Sequence, residues 1–218
     1  HHTSSLTSII GGGKRIKPGE ISLASNGVLL LDELAEFPRS VLESLRQPLE
    51  DGLVSITRAQ YRVEFLSKFQ LLATSNPCFC GNYYEGASCT CTQHEVNKYM
   101  KKLSGPIMDR IDIHIEMRRL SEDELMNSAE AENSNTIKER VMKAREIQRK
   151  RYNSDLLNGN LGQKEIKKYC KIADEDKEYF KNAMRIMEIS ARGYDKILKV
   201  ARTIADLEGC KDIKKYHL

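Results

Sequence analysis

A chain of 218 residues with 40% hydrophobic and 30% charged positions has a globular composition, long enough for one large domain or two small ones. The formal net charge of +4 permits a nucleic-acid partner without demanding one, and no apolar run approaches the roughly 20 residues of a membrane-spanning helix. No signal-peptide pattern opens the chain, and six unevenly spaced cysteines fit a reducing cytoplasm better than a secreted disulfide framework.

Residues 1–27 are rich in Gly, Ser and His, with Pro18-Gly19 as a turn. They start at His1-His2-Thr3 without a methionine, which reads as a chain cut from a longer one. A phosphate-cradling G-x-x-x-x-G-K-[ST] is absent. Gly13-Lys14 comes nearest, but Ser8 stands where the first glycine belongs and Arg15 where the Ser or Thr belongs. Gly11-Gly12-Gly13 therefore reads as a flexible loop.

Val28-Leu29-Leu30-Leu31, bounded by Gly27 and by Phe37-Pro38, predicts a short strand buried on both faces, as in a parallel sheet. It delivers Asp32 and Glu33 at its C-terminal tip, where open α/β sheets bind ligands. Two carboxylates there are poised for a cation. The pair reads as a Walker-B element, Asp32 holding Mg²⁺ and Glu33 orienting or deprotonating the attacking water. The plain alternative is a buried strand that ends in a solvated acidic turn.

Pro38 then suits a first helical position, and Val41, Leu42, Leu45 and Leu49 form one apolar face of a helix that Asp51-Gly52 ends. Residues 53–57 and 61–65 predict a hairpin, with Arg58 and Arg62 near its tip as candidate contacts to DNA or a neighbouring subunit, or as solvated charges. Residues 69–74 predict a second buried strand running into Ser75-Asn76-Pro77. Asn76 is either a turn residue before proline or a γ-phosphate sensor, since its amide can bond both a water and a phosphate oxygen.

Cys78-Phe79-Cys80 and Cys89-Thr90-Cys91 place four thiols within 14 positions. They are candidate ligands of a tetrahedral structural Zn²⁺, although C-x-C is less specific than the usual C-x₂-C; His94 is a substitute ligand, and reduced loop cysteines are the alternative. Thr92 and Glu95 predict a capping box for a helix carrying Val96, Tyr99, Met100 and Leu103. Gly105-Pro106 opens a short helix ending at Arg110, and Ile111, Ile113 and Ile115 alternate with polar residues as a half-buried strand would. Arg110 is placed to meet a phosphate or to pair with Asp109 or Asp112.

Ser121 and Glu124 form another capping box, residues 127–135 read as a linker, and the remainder is helical. A basic helix lined by Ile137, Val141, Ala144 and Gln148 ends near Tyr152. A loop (153–162) and a helix (163–171) follow. Asp174 then caps a helix packing Tyr179, Phe180, Ala183, Met184 and Met187. Ser190 caps the last long helix, which Gly209 stops, and Ile213 to Leu218 begin a further element. Arg192, in its first turn, opposes the helix dipole and calls for an anion.

In order, the blocks 19–34, 45–52, 76–81, 103–114 and 190–207 resemble the magnesium-chelatase-like AAA+ ATPases, most closely the competence-protein ComM (YifB) branch. The resemblance implies a partial αβα P-loop core over 1–118, a linker over 119–135 and an all-helical lid over 136–218. It implies that Asp32 and Glu33 are the Walker-B pair, Asn76 sensor 1, Arg110 an arginine finger for a neighbouring subunit's nucleotide, and Arg192 sensor 2. ATP and Mg²⁺ are then the cofactors, and the unit is a ring, in this family typically a hexamer. The pattern departs from the family in lacking the Walker-A loop, so the chain is similar to a C-terminal fragment. Alone it is expected to bind ATP weakly without turning it over.

Three functions follow. The branch implies an ATP-driven motor on DNA, linked to branch migration and transformation, with Arg58, Arg62 and the helix Lys138–Arg151 as candidate contacts. A magnesium-chelatase-type subunit driving metal insertion into a tetrapyrrole is the second, disfavoured by the cysteine loop. A non-catalytic, zinc-stabilised binding module is the third.

Overall fold

A computed structural model describes residues 1–58, 61–103, 105–117, 119–127 and 131–218, with no side-chain description for Arg58 or residues 85–87. The Arg58 side chain, the hairpin tip at 59–60, Ser104, the expected boundary Arg118 and positions 128–130 of the expected linker lie outside the described residues. The chain divides into two compact units, 1–119 and 120–218.

The first unit opens with α1 (Leu6–Ile10), capped by the Ser5 hydroxyl, which accepts the Ser8 N–H at 3.1 Å. The expected flexible glycine loop is instead a fixed hairpin. β1 (Gly11–Gly12) pairs antiparallel with β2 (Lys17–Pro18), and Gly11, Gly12 and Gly13 take φ of +103°, +121° and +93°. Only glycine tolerates such angles readily, so the triplet encodes a shape rather than freedom. Gly19 then leads into α2 (Glu20–Leu23).

β3 (Val28–Leu31) and β6 (Gln70–Ala73) form a parallel pair in the register Val28↔Gln70 to Leu31↔Ala73. Parallel neighbours need a long connection. Here it comprises α3 (Arg39–Ser44), α4 (Arg46–Asp51) and the antiparallel hairpin of β4 (Leu53–Arg58) and β5 (Tyr61–Leu66). The single helix expected over this stretch is two. Pro48 has no N–H for the Ser44 carbonyl, so the ladder is interrupted at Leu45 and restarts. Gly52, at φ +67°, ends α4.

The core gathers Ile9, Ile21, Leu29, Leu31, Leu45 and Ile107. The expectation of a strand buried on both faces is corrected. Leu29 and Leu31 are buried, whereas Val28, Leu30 and, on the neighbouring strand, Leu72 are 59%, 57% and 55% exposed. Side chains alternate across a strand, and the core packs on one face of this sheet only.

α5 (Gln93–Met100) carries the predicted capping box, with Glu95 N–H to Thr92 Oγ1 at 3.3 Å and Thr92 N–H to Glu95 Oε2 at 2.8 Å. After α6 (Gly105–Met108) the expected strand at 111–116 does not form, and Ile113 and Ile115 are 60% and 75% exposed. A strand exists only through a ladder to a neighbour, and no described strand lies beside this run.

The second unit is helical. It comprises α7 (Glu122–Met126) with its predicted capping box, α8 (Ser134–Tyr152), α9 (Gln163–Tyr169), α10 (Lys177–Ile186) and α11 (Ala191–Leu207), capped by Ser190. Leu161, Ile166, Phe180, Leu198, Ala201 and Ile213 form its core, and Ile213 bridges in parallel to Ile172. Asp174 starts a separate single turn, so Asp176 occupies the position before α10. Of the expected apolar faces, Ala144 and Phe180 are buried, but Ile137, Val141, Tyr179 and Met187 are exposed. No described helix is long and apolar enough to cross a membrane.

Candidate functional site

The register of β3 and β6 sets Asp32 and Thr74, the residues just past the two strands, side by side. Thr74 Oγ1 donates to Asp32 Oδ1 and accepts the Glu33 N–H at 3.1 Å, while the Leu34 N–H bonds the Thr74 carbonyl at 2.8 Å. One hydroxyl thus fixes the first carboxylate and the backbone of the second. Glu33 sits in the left-handed region, at φ 55° and ψ 52°, a conformation that costs a non-glycine residue on the order of 1 kcal/mol and recurs at functional sites.

His2 Nδ1 lies 2.8 Å from Glu33 Oε2, close enough to pair when the imidazole is protonated but not aligned as a hydrogen bond. His1 stacks on His2 with ring centroids 4.2 Å apart. Asn76, two residues past Thr74, is exposed, and its carbonyl accepts from the Ser75 hydroxyl at 3.2 Å. Exposed carboxylates on a rigid strand tip are a hard-oxygen set that fits Mg²⁺. Gly11 and Gly12 are committed to their hairpin, paired with Pro18 and Lys17.

The tip is buttressed from α5 and the turn that follows it. Lys102 Nζ reaches Glu36 Oε2 at 3.0 Å, and this hydrogen bond above all holds the Glu36 carboxyl below its usual range. Tyr99, 2% exposed, is pushed up to about 12 by burial and then by its hydrogen bond to Glu36. Phe79 packs edge-on to Tyr99 at 4.8 Å between ring centroids.

Arg110 does not pair with Asp109 or Asp112 in any described contact. Its guanidinium bonds Glu50 of α4 and the Pro106 carbonyl, at 2.6 Å for the latter, and its Nε is buried with no hydrogen-bond partner among the described residues. Arg192 sits exposed in the first turn of α11. Arg62 pairs with Glu64 at 2.7 Å and with the Ser55 hydroxyl at 2.8 Å. Arg151 leaves the basic face expected of α8, because its guanidinium binds the buried Asp206; Lys138, Lys143 and Arg145 remain exposed.

The four thiols converge. Cys78 Sγ lies 3.3 Å from Cys80 Sγ and 4.0 Å from Cys89 Sγ, and Cys80 Sγ lies 3.6 Å from Cys89 Sγ. With Cys91, all four sulfurs are within 4.8 Å of one another, and His94 is not in the group. Backbone N–H groups of Asn82 and then Thr90 draw the Cys80 thiol down to about 5.

The sequence that builds these two units has matches among known proteins. Residues 1–125 match the family model described as magnesium chelatase, subunit ChlI, and residues 131–218 match the ChlI C-terminal model. The chain belongs to the magnesium-chelatase family. Within it, the chain is 44% identical over its whole length to the competence protein ComM of Haemophilus influenzae, covering 42% of that protein, and 42% identical to YifB of Escherichia coli, covering 43%. It therefore spans about two fifths of these relatives. A more distant relative is the maternal DNA replication licensing factor mcm6 of Xenopus tropicalis, 32% identical over 98 residues, 45% of this chain and 11% of that protein.

Sequence reasoning missed Thr74, His2 and Tyr99 as parts of this strand tip. Thr74 was legible as the residue in register with Asp32 once the strands were paired. His1-His2 carried a signal in the adjacency of two imidazoles. Tyr99 looked like any apolar position on α5.

Proposed function

We propose that this chain is the hydrolysis-and-sensing portion of an ATP-driven AAA+ motor that acts on DNA. The observation that carries the reading is the Thr74 clamp, which presents Asp32 and Glu33 at the tip of a parallel pair with Asn76 beyond the adjacent strand. In this reading Asp32 holds Mg²⁺, Glu33 orients and deprotonates the attacking water, and Asn76 bonds that water or the γ-phosphate. Arg110 serves the nucleotide of a neighbouring subunit in a ring, a hexamer by family habit, after exchanging Glu50 for phosphate. Arg192 contacts the nucleotide from the helical unit. A trans arginine of this kind is worth roughly 10³–10⁵ in rate. Arg62 and the exposed cations of α8 are the groups that would contact DNA.

DNA is favoured over a tetrapyrrole by the names of the relatives, a competence protein and a replication licensing factor. The test is steady-state ATP hydrolysis by the intact protein with and without single- and double-stranded DNA. Stimulation by DNA, loss of turnover in Glu33→Gln with nucleotide binding retained, and loss of turnover in Arg110→Ala are expected. Turnover indifferent to DNA refutes the motor reading, and turnover unaffected by Glu33→Gln refutes the site.

A further inference from the structure

The strongest unassigned feature is the cysteine group beyond Asn76. All six cysteines are free thiols, and four of them, from two loop segments separated by eight residues, point at a common centre. A disulfide would bring one pair to about 2 Å. The separations of 3.3, 3.6 and 4.0 Å instead bracket the edge of about 3.8 Å expected for a tetrahedron whose Zn–S bonds are about 2.3 Å. Backbone N–H groups are aimed at the sulfurs: those of Asn82 and Thr90 at Cys80, that of Cys91 at Cys89, and that of Cys80 at Cys91. Such N–H donors are the outer shell that orients thiolate ligands around a metal. Cys78 is fully buried and the other three are half-buried, which gives a closed centre of structural type with all four ligands supplied by protein.

We propose that Cys78, Cys80, Cys89 and Cys91 bind a single Zn²⁺, and that this metal staples the loop between β6 and α5 so that Asn76 is held at the strand tip. The geometric link is short. Cys78 is two residues beyond Asn76, and Phe79, between two ligands, packs on Tyr99 with Lys102 Nζ 5.1 Å above its ring. Lys102 in turn holds Glu36 of the turn that follows Glu33. On the other side, Cys91 adjoins the Thr92 cap of α5. The metal therefore closes a loop whose two ends both abut the candidate site. The value of holding Asn76 rests on the nucleotide reading above; the binding of metal does not.

The experiment uses the whole 218-residue chain, purified under reducing conditions without added metal. Elemental analysis should give about one zinc per chain, and exchange for Co²⁺ should give the visible absorption of a tetrahedral four-thiolate centre. The double variant Cys78→Ser/Cys89→Ser should fall to near zero on both readouts, while Cys170→Ser/Cys210→Ser should keep both. Because the first variant can misfold, the unsubstituted chain is also stripped with a chelator and followed by hydrogen exchange. Protection should be lost over residues 76–91 and restored by Zn²⁺, with β4 and β5 unchanged. Zinc-free protein that takes up no Co²⁺, or zinc retained by the Cys78/Cys89 variant, overturns the site. Exchange at 76–91 that is indifferent to chelation, or that rises equally everywhere, overturns the stapling role. None of these readouts involves nucleotide, so they stand whether or not the motor reading holds.

Discussion

Thr74 Oγ1 bonds the carboxylate of Asp32 across the parallel pair, so the acidic end of one strand is held by the hydroxyl end of its neighbour. The same oxygen accepts the Glu33 N–H. Thr74→Val keeps the shape and β-branching but removes both bonds, whereas Thr74→Ser keeps them. Because the site is exposed, water compensates part of the loss, and Thr74→Val should cost about 1 kcal/mol, the net worth of an ordinary hydrogen bond. Urea denaturation curves of the two variants check this. Equal midpoints for Val and Ser would show that the hydroxyl does no holding.

Tyr99 makes a pH prediction. Its folded-state value is raised, by burial first and Glu36 second, so folding favours the neutral phenol. The stabilisation is whole below about 10, the ordinary tyrosine value, and is lost as pH climbs from there through about 12. In an ultraviolet phenolate titration, Tyr99→Phe should delete a late component near pH 12 and leave the earlier ones. A profile unchanged in its latest step would mean that Glu36 and burial do not act on this ring.

What the sequence disclosed depended on the range of the interaction. Signals closed within a few residues were realised in detail, such as the Thr92/Glu95 and Ser121/Glu124 boxes, the Ser190 cap and the turn at Gly52. The Val28–Leu31 strand was visible as an apolar run, but a run cannot say how many faces are covered, and only one is. The Ile111–Glu116 alternation misled, because no strand lies beside it among the described residues and Ile113 and Ile115 are exposed. Arg151 looked like one more cation on a basic helix because Asp206 is 55 residues away. At the candidate site, Asp32, Glu33 and Asn76 were named from their strand tips. Thr74 was not, because its importance arises only from the register between two distant segments.

Gly19 tests the hairpin that replaced the expected loop. A Cβ there would lie 2.4 Å from the Gly11 nitrogen and 2.4 Å from the Ile9 carbonyl oxygen, backbone atoms that cannot swing aside. Gly19→Ala should therefore force α1 and α2 apart and destabilise the chain by more than about 1 kcal/mol, where an exposed Gly→Ala is usually neutral or stabilising. Gly159, where an added methyl would meet nothing within 4 Å, is the matched control and should tolerate alanine. Thermal melts of both variants decide it, and equal melting temperatures would refute the close approach.

Asp206 carries the largest expected effect. Its side chain is fully buried, and it accepts from Arg202 Nε at 3.1 Å, from Asn158 Nδ2 at 2.9 Å and from both terminal nitrogens of Arg151. Arg202, itself 1% exposed, spends its remaining donors on the Cys210 and Lys211 carbonyls, both at 2.6 Å. One carboxylate thus balances two guanidiniums and ties α8, the 158–160 turn and the chain beyond α11 together. Asp206→Asn preserves shape but turns one acceptor oxygen into an NH2 donor facing guanidinium N–H groups, and leaves two largely buried cations without a counter-charge. Breaking such a network from one side costs about 3–5 kcal/mol, a large share of the roughly 5–15 kcal/mol that holds a domain folded. Chemical denaturation should show the second unit unfolding at much lower urea, with far-ultraviolet helicity lost first. Arg151→Met, which removes one of the two cations along with its charge, should cost less, and the reverse order of the two variants would contradict this account of the network.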